Sequence, residues 1–226
     1  MAYFTGPNIV TDELLLAYDA GSGRSYSGSG TTASNIIDSS TGTLVNGVAF
    51  NSANGGYWEF DGTDDYISIA NANSPQFTAN QSFTISYTLK LNTIIGGFWA
   101  PVMKGGFGQS YGHLILNDDL LVYTDTDSSP EYTFNNVFTN DANKWVFITQ
   151  TYDGNRIYLY RNGELFGQSG TGIGFTTSTA PLYFGSHNST GYYLNGSMAT
   201  VKMYNKALSA AEVLQNFNAQ KTRFGL

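Results

Sequence analysis

Hydrophobic and polar positions alternate without a break over residues 83–91, where Phe83, Ile85, Tyr87, Leu89 and Leu91 are separated by Thr84, Ser86, Thr88 and Lys90. A period of two belongs to a β-strand, whose successive side chains leave opposite faces, so this pattern predicts a strand with one buried and one wet face. Sheets with a solvated face are commonly antiparallel, which sets the expected pairing. The alternation recurs on both sides of "DGTDD", residues 61–65, with Trp58 and Phe60 before it and Ile67 and Ile69 after it. That stretch reads as a hairpin whose apolar sides face one core and whose Asp and Gly residues supply the turn. In "DGNRIYLYRNGELFG" a turn at Asp153, Gly154 and Asn155 leads into a strand over 156–160, and Asn162-Gly163 is the pair that a two-residue type I′ loop requires. "KWVFITQTY" and "GHLILNDDLLVYTD" predict further strand pairs.

One segment departs from this period. Ser209 is followed three residues later by Glu212, a capping box, and Val213, Leu214 and Phe217 then fall on one helical side. A short helix over about 209–219 is expected to pack back on the sheets. Turn signals recur at short intervals, with no polar linker and no repeat, and "GSGRSYSGSGTTASN" reads as a flexible loop. The expected architecture is all-β, a two-sheet antiparallel sandwich formed as a single domain over residues 1–226.

Composition narrows the function classes. Only 12% of residues are charged, whereas Gly (26), Tyr (16) and Phe (15) are abundant, a mixture suited to short strands and tight turns. The net charge of −7 and the lack of any basic run exclude a surface that tracks a phosphate backbone, so nucleic acid is not an expected partner. With no cysteine there is no disulfide, thiolate nucleophile or Cys-ligated zinc. No stretch approaches the ~18 apolar residues of a membrane span, and "MAYFTGPNIV" lacks the basic and apolar regions of a signal peptide. The expectation is a soluble protein without membrane insertion or export signal.

"LLLAYDAGSGRSYSGSGTT", "TGTLVNG", "FNSANGGYWEFDGTDDYISI", "TYDGNRIYLYRNGE" and "GYYLNGSMATVKMYNKALSAAEVLQNF" follow one another in an order that resembles the laminin-G-like, concanavalin A-like jelly rolls. "LAYDAG" together with "ALSAAEVLQNFNAQKTRFGL" is most similar to the stand-alone members carried as structural proteins by tailed bacteriophages. The resemblance implies a two-sheet jelly-roll sandwich, glycan binding by a concave face or rim loops in many members, and often a structural calcium at the rim.

Candidate chemistry is sparse. Asp61, Asp64 and Asp65 qualify chemically as calcium ligands, since calcium takes six to eight oxygens from clustered loop carboxylates and carbonyls; they are equally what a solvated turn uses to bond its own backbone. The resemblance brings in Asp38, from "IIDSSTGTL", as a further ligand, although the loop is shorter than in relatives and Thr200 stands where they frequently carry an acid. "DTDSSPE", residues 125–131, is no glycosidase site: a proline interrupts an Asp-first series, where retaining enzymes of this fold place two acids about 5 Å apart on one strand face. It also lacks the central Gly and distal Glu of an EF-hand. His113 and His187 are the only histidines; neither lies in a nucleophile motif, and both read as structural. Aromatics near turns are the candidate glycan contacts: Trp99, Tyr111, and Tyr192 with Tyr193 beside His187 and Asn188. The expected function is that of a non-enzymatic virion structural protein, a capsid decoration or tail component assembled in the host cytoplasm. Its expected partners are other virion proteins and a host-surface glycan, with homo-oligomerisation left open. The alternative is a carbohydrate-binding module of a secreted bacterial protein, acting outside the cell.

Overall fold

The computed structural model describes residues 7–78, 80–106, 111–124 and 131–226. Among them, the strands are divided between two sheets. The first half of the chain forms β1 (Leu14–Asp19), β2 (Thr32–Ser34), β3 (Thr41–Val45), β4 (Ala49–Asn51), β5 (Tyr57–Asp61), β6 (Tyr66–Ile69), β7 (Phe83–Leu91) and β8 (Phe98–Lys104). The second half forms β9 (Gly112–Leu116), β10 (Asp119–Tyr123), β11 (Tyr132–Phe134), β12 (Trp145–Tyr152), β13 (Ile157–Arg161), β14 (Glu164–Gln168), β15 (Leu182–Phe184) and β16 (Asn195–Tyr204). Two helices, α1 (Ala210–Asn218) and α2 (Lys221–Phe224), close the chain.

One sheet has the order β14-β13-β12-β7-β16-β5-β4, with β1 also paired to β16; the other runs β11-β10-β9-β8-β15-β6-β3-β2. Every strand pairing is antiparallel. The result is the expected two-sheet jelly-roll sandwich. Its core lies between the sheets, where Trp58, Phe60, Ile67, Ile69, Phe83, Ile85, Tyr87 and Leu89 belong to one buried cluster. Burying each such side chain stabilises the fold by roughly 1.5–3 kcal/mol.

Several expectations hold in detail. The hairpin between β13 and β14 turns on Asn162 (φ 51°) and Gly163 (φ 82°), the two positive values that a type I′ loop needs. The pairs β9–β10 and β12–β13 form where the sequence places them. At α1 both halves of the capping box are present, with Ser209 accepting from the Glu212 backbone and Glu212 accepting from that of Ser209.

Three expectations are corrected. First, β5 and β6 are not a hairpin: β5 pairs with β16 and β4, while β6 pairs with β15 and β3 in the opposite sheet. Residues 61–65 therefore carry the chain across the sandwich, and the two apolar faces meet because each sheet turns one toward the same core. Second, the polar face of β7 is not wet. Thr84, Ser86 and Thr88 are buried, with Ser86 Oγ 2.9 Å from Thr149 Oγ1 and Thr88 Oγ1 3.1 Å from Thr200 Oγ1 across the strands. Thr84 Oγ1 donates to the Lys206 carbonyl and accepts from the Leu208 N–H, tying the C-terminal segment over this face. The helices and the chain around Val10 seal it, with Val10, Leu14, Tyr204, Leu208 and Val213 forming a second buried cluster. Third, on α1 the buried positions are Val213 and Asn216, whereas Leu214 is exposed. Asn216 is drawn inward because its amide accepts from the Val10 N–H at 2.8 Å and donates to the Tyr204 hydroxyl at 3.0 Å.

No described helix is long and apolar enough to cross a membrane.

Candidate functional site

Among the connections that pass from one sheet to the other at one end of the sandwich are 62–65 from β5 to β6, 92–97 from β7 to β8, and 185–194 from β15 to β16. Register fixes this coincidence, since Asp61 pairs with Asn195, Gly196 with Leu91, and Phe184 with both Ile67 and Val102. The loops enclose a shallow cleft of about 450 Å³ whose wall includes Gly62, Phe98, Trp99, Tyr192, Tyr193 and Asn195.

Its aromatic face is built by strand alternation. Trp99 points inward, 5% exposed, and forms the floor, while the preceding Phe98 points outward, 43% exposed, and meets Tyr192 edge-on with ring centroids 5.5 Å apart. Tyr192 is 38% exposed and adopts φ 50°, a conformation that an aromatic residue rarely takes. Its carbonyl accepts from the Ala100 N–H at 2.8 Å, which helps hold the unfavourable backbone in place. Asn188 and Ser189 in the same loop also have positive φ. Tyr193 lies near parallel to Tyr66 at 6.4 Å, and its hydroxyl donates to the Ser189 carbonyl. Asn195 Oδ1 accepts from Asn92 at 2.8 Å, joining two of the loops.

The acidic stretch adjoins the cleft through Gly62, which lines it. One carboxylate oxygen from each of Asp61, Asp64 and Asp65 lies within 4.8 Å of the others. Asp61 Oδ1 accepts from the N–H groups of Thr63 and Asp64, and Asp65 Oδ2 accepts from the Asp61 N–H, so part of the cluster is spent on closing the turn. Gly62 is required here: φ is 80°, and a Cβ would lie 2.9 Å from that of Asn195. Burial pushes the Asp65 carboxyl above the usual range; the Asp61 N–H opposes the shift, and the charges of Asp61 and Asp64 add to it. A cation would relieve that repulsion, and the remaining carboxylate oxygens with water would have to complete its six to eight ligands. The donor set is thus chemically suited to calcium.

The other predicted site residues are dispersed. Asp38 is not part of the cluster: it lies before β3, whose Gly42 end pairs with Ile69 and whose Val45 end pairs with Tyr66, so the strand separates Asp38 from Asp65 by roughly 14 Å of rise. Its carboxylate accepts from Asn35 Nδ2 and the Ser40 N–H, and these bonds outweigh its burial and lower its pKa. Tyr111 is a core residue, 1% exposed, donating to the Pro75 carbonyl at the far end of β8 and β9. His187 and Asn188 stand behind the cleft: the His187 ring meets Tyr192 edge-on at 5.3 Å and is half-buried, which lowers its pKa. His113 is fully buried between Tyr87 and Gln150. Residues 125–130 lie outside the described residues. Phe98 and Asn195 are cleft residues that sequence reasoning missed; period-two alternation was the signal for Phe98, since with Trp99 inside its neighbour must face out, and no local signal marked Asn195.

A family model described as the concanavalin A-like lectin/glucanases superfamily matches residues 61–214. Among solved structures, the botulinum neurotoxin serotype D binding domain aligns with a TM-score of 0.71 at 14% identity, covering 92% of this chain and 52% of that one. The binding domain of botulinum neurotoxin DC in complex with SialylT gives 0.69 at 15% identity, with 92% and 52% covered. The same toxin's binding domain in complex with rat synaptotagmin II gives 0.71 at 15%, with 93% and 52% covered. At these identities the likeness is one of fold, and the chain spans about half the length of the structures it matches. A search of curated proteins finds no match. Because the family model covers more than half of the sequence, with strands of both sheets inside the matched region, the chain belongs to the concanavalin A-like lectin/glucanases superfamily.

Proposed function

We propose that this chain is a non-enzymatic binding module whose rim cleft takes a glycan, and that it is displayed on a bacteriophage particle as a capsid or tail component. The observation that carries the binding reading is the convergence of Phe98, Trp99, Tyr192, Tyr193 and Asn195 from distant parts of the sequence into one cleft. A sugar ring can pack its apolar face on Phe98 and Tyr192, while the phenol and amide groups bond its hydroxyls. The non-enzymatic reading is supported by the placement of the clustered acids beside the cleft: Asp61, Asp64 and Asp65 sit on one loop at one side, whereas a glycosidase pair must flank the scissile bond. A calcium ion held by Asp61, Asp64 and Asp65 would stiffen the loop that forms one wall. The virion role rests on the resemblance to stand-alone phage jelly rolls. A module within a larger binding protein is the second reading, favoured by the twofold greater length of the structures it matches.

A glycan array probed with the wild type and with Tyr192→Ala tests the cleft: binding confined to a defined glycan class and lost in the variant supports it, and indifferent binding rejects it. Proteomics of washed particles tests display, with stoichiometric copies expected. Absence from particles while the free protein still binds glycan would transfer the assignment to the module reading.

A further inference from the structure

A cavity of about 800 Å³ lies on the opposite side of the β16 sheet from the core and shares no residue with the rim cleft. Its walls are mainly apolar, with Ile9, Leu14, Ala17 and Ile36 among them. Arg24, Lys202 and Arg223 also line it, against the single carboxylate of Asp19. Three of the chain's ten basic residues therefore meet in one cavity of a protein with seventeen acidic ones.

Their bonding sets Lys202 apart. Arg223 is consumed: it holds both Asp19 oxygens at 2.8 and 3.0 Å and donates to the carbonyls of Asn54 and Gly56. Lys202 is 5% exposed, yet among the described residues its ammonium has one acceptor, Gln220 Oε1 at 3.1 Å, an atom that also accepts from Thr200. An ammonium carries three donors. Lys104, also buried, shows how this fold satisfies one internally: its Nζ donates to Asn71 Oδ1, Ser74 Oγ and the Ala180 carbonyl at 2.7–2.9 Å. Lys202 thus brings two unused donors to a cavity wall. Arg24, exposed at the mouth, spends one contact on the Ile36 carbonyl.

We propose that this cavity binds a small amphiphilic anion, a carboxylate on an alkyl or aryl body. The carboxylate would accept from Lys202 and Arg24, and the body would lie against the apolar walls. The volume falls within the range of small-molecule pockets, roughly 300–1,000 Å³, which favours a compact ligand over a peptide.

Titration calorimetry of the full chain with decanoate, and with 1-decanol as the uncharged comparator, tests this. Expected are saturable one-to-one binding of decanoate and at least tenfold weaker binding of decanol. Lys202→Met, which keeps the stem and removes the charge, should weaken decanoate roughly tenfold or more, the scale of one charged hydrogen bond. Arg24→Gln is exposed and should leave the fold intact while weakening decanoate several-fold. If Lys202→Met fails to fold, ¹⁵N detection of the Lys202 ammonium in the wild type replaces it, with a shift expected on adding decanoate and none on adding decanol. No saturable binding, equal binding of acid and alcohol, or an unmoved Lys202 signal would overturn the proposal and leave Lys202 as a hydrated lysine.

Discussion

Acid should weaken this protein through one buried histidine. His113 is 0% exposed and bridges the two sheets, with its Nε2 donating to Gln150 Oε1 and its Nδ1 accepting from the Tyr87 hydroxyl at 2.9 Å. Both ring nitrogens are thus occupied in the neutral form, and burial lowers the pKa from 6.5 to about 4 against a smaller opposing effect of Gln150. Between those values the unfolded chain binds a proton that the folded chain refuses, so stability falls as the pH drops from about 6.5 to about 4 and is constant above that window. At 1.36 kcal/mol per unit the loss comes to about 3 kcal/mol, or roughly 6–12 °C in Tm for a chain of this size. The assay is urea unfolding at half-unit pH steps for the wild type and His113→Gln. Because His187, Asp65, Asp38 and Glu212 titrate in both proteins, the difference between the two curves isolates His113. The variant should start less stable, since Tyr87 loses its acceptor, but its curve should be flatter by up to about 1.4 kcal/mol per pH unit between 4 and 6.5. Parallel curves would refute the reasoning and show that the imidazole is charged or hydrated in the folded state.

Other outcomes follow from single contacts. If the acidic loop binds calcium, melts in millimolar calcium and in chelator should separate, by ~2.7 kcal/mol of stability at a hundredfold excess over Kd, and Asp64→Asn should narrow the gap; superimposable melts would leave residues 61–65 as a plain turn. Ser209→Ala removes the side-chain half of the capping box at α1 and should cost about 1 kcal/mol, read as a 2–4 °C drop in Tm. Phe98→Ala and Tyr192→Ala should reduce glycan binding while changing Tm by only a few degrees, because both rings are partly exposed; a loss of fold in either would show that they serve packing.

Sequence alone determined the local structure: the strand over 83–91, the type I′ turn at Asn162-Gly163 and the capping box at Ser209 form as residue type and period dictate. It also determined that Trp58, Phe60, Ile67 and Ile69 face a common core. It could not say that β5 and β6 belong to different sheets, because alternation records which side of a strand is buried and carries no information about which strand supplies the hydrogen bonds. For the same reason Thr84, Ser86 and Thr88 read as solvated, although a segment more than a hundred residues later covers them. The rim cleft depends on tertiary structure throughout, since Gly62, Phe98, Tyr192 and Asn195 meet only once three crossings reach the same end of the sandwich. Tertiary structure likewise separated two lysines that look alike in sequence: Lys104 is enclosed by three oxygens, whereas Lys202 faces a cavity with one, because only the folded surroundings decide how many acceptors reach an ammonium.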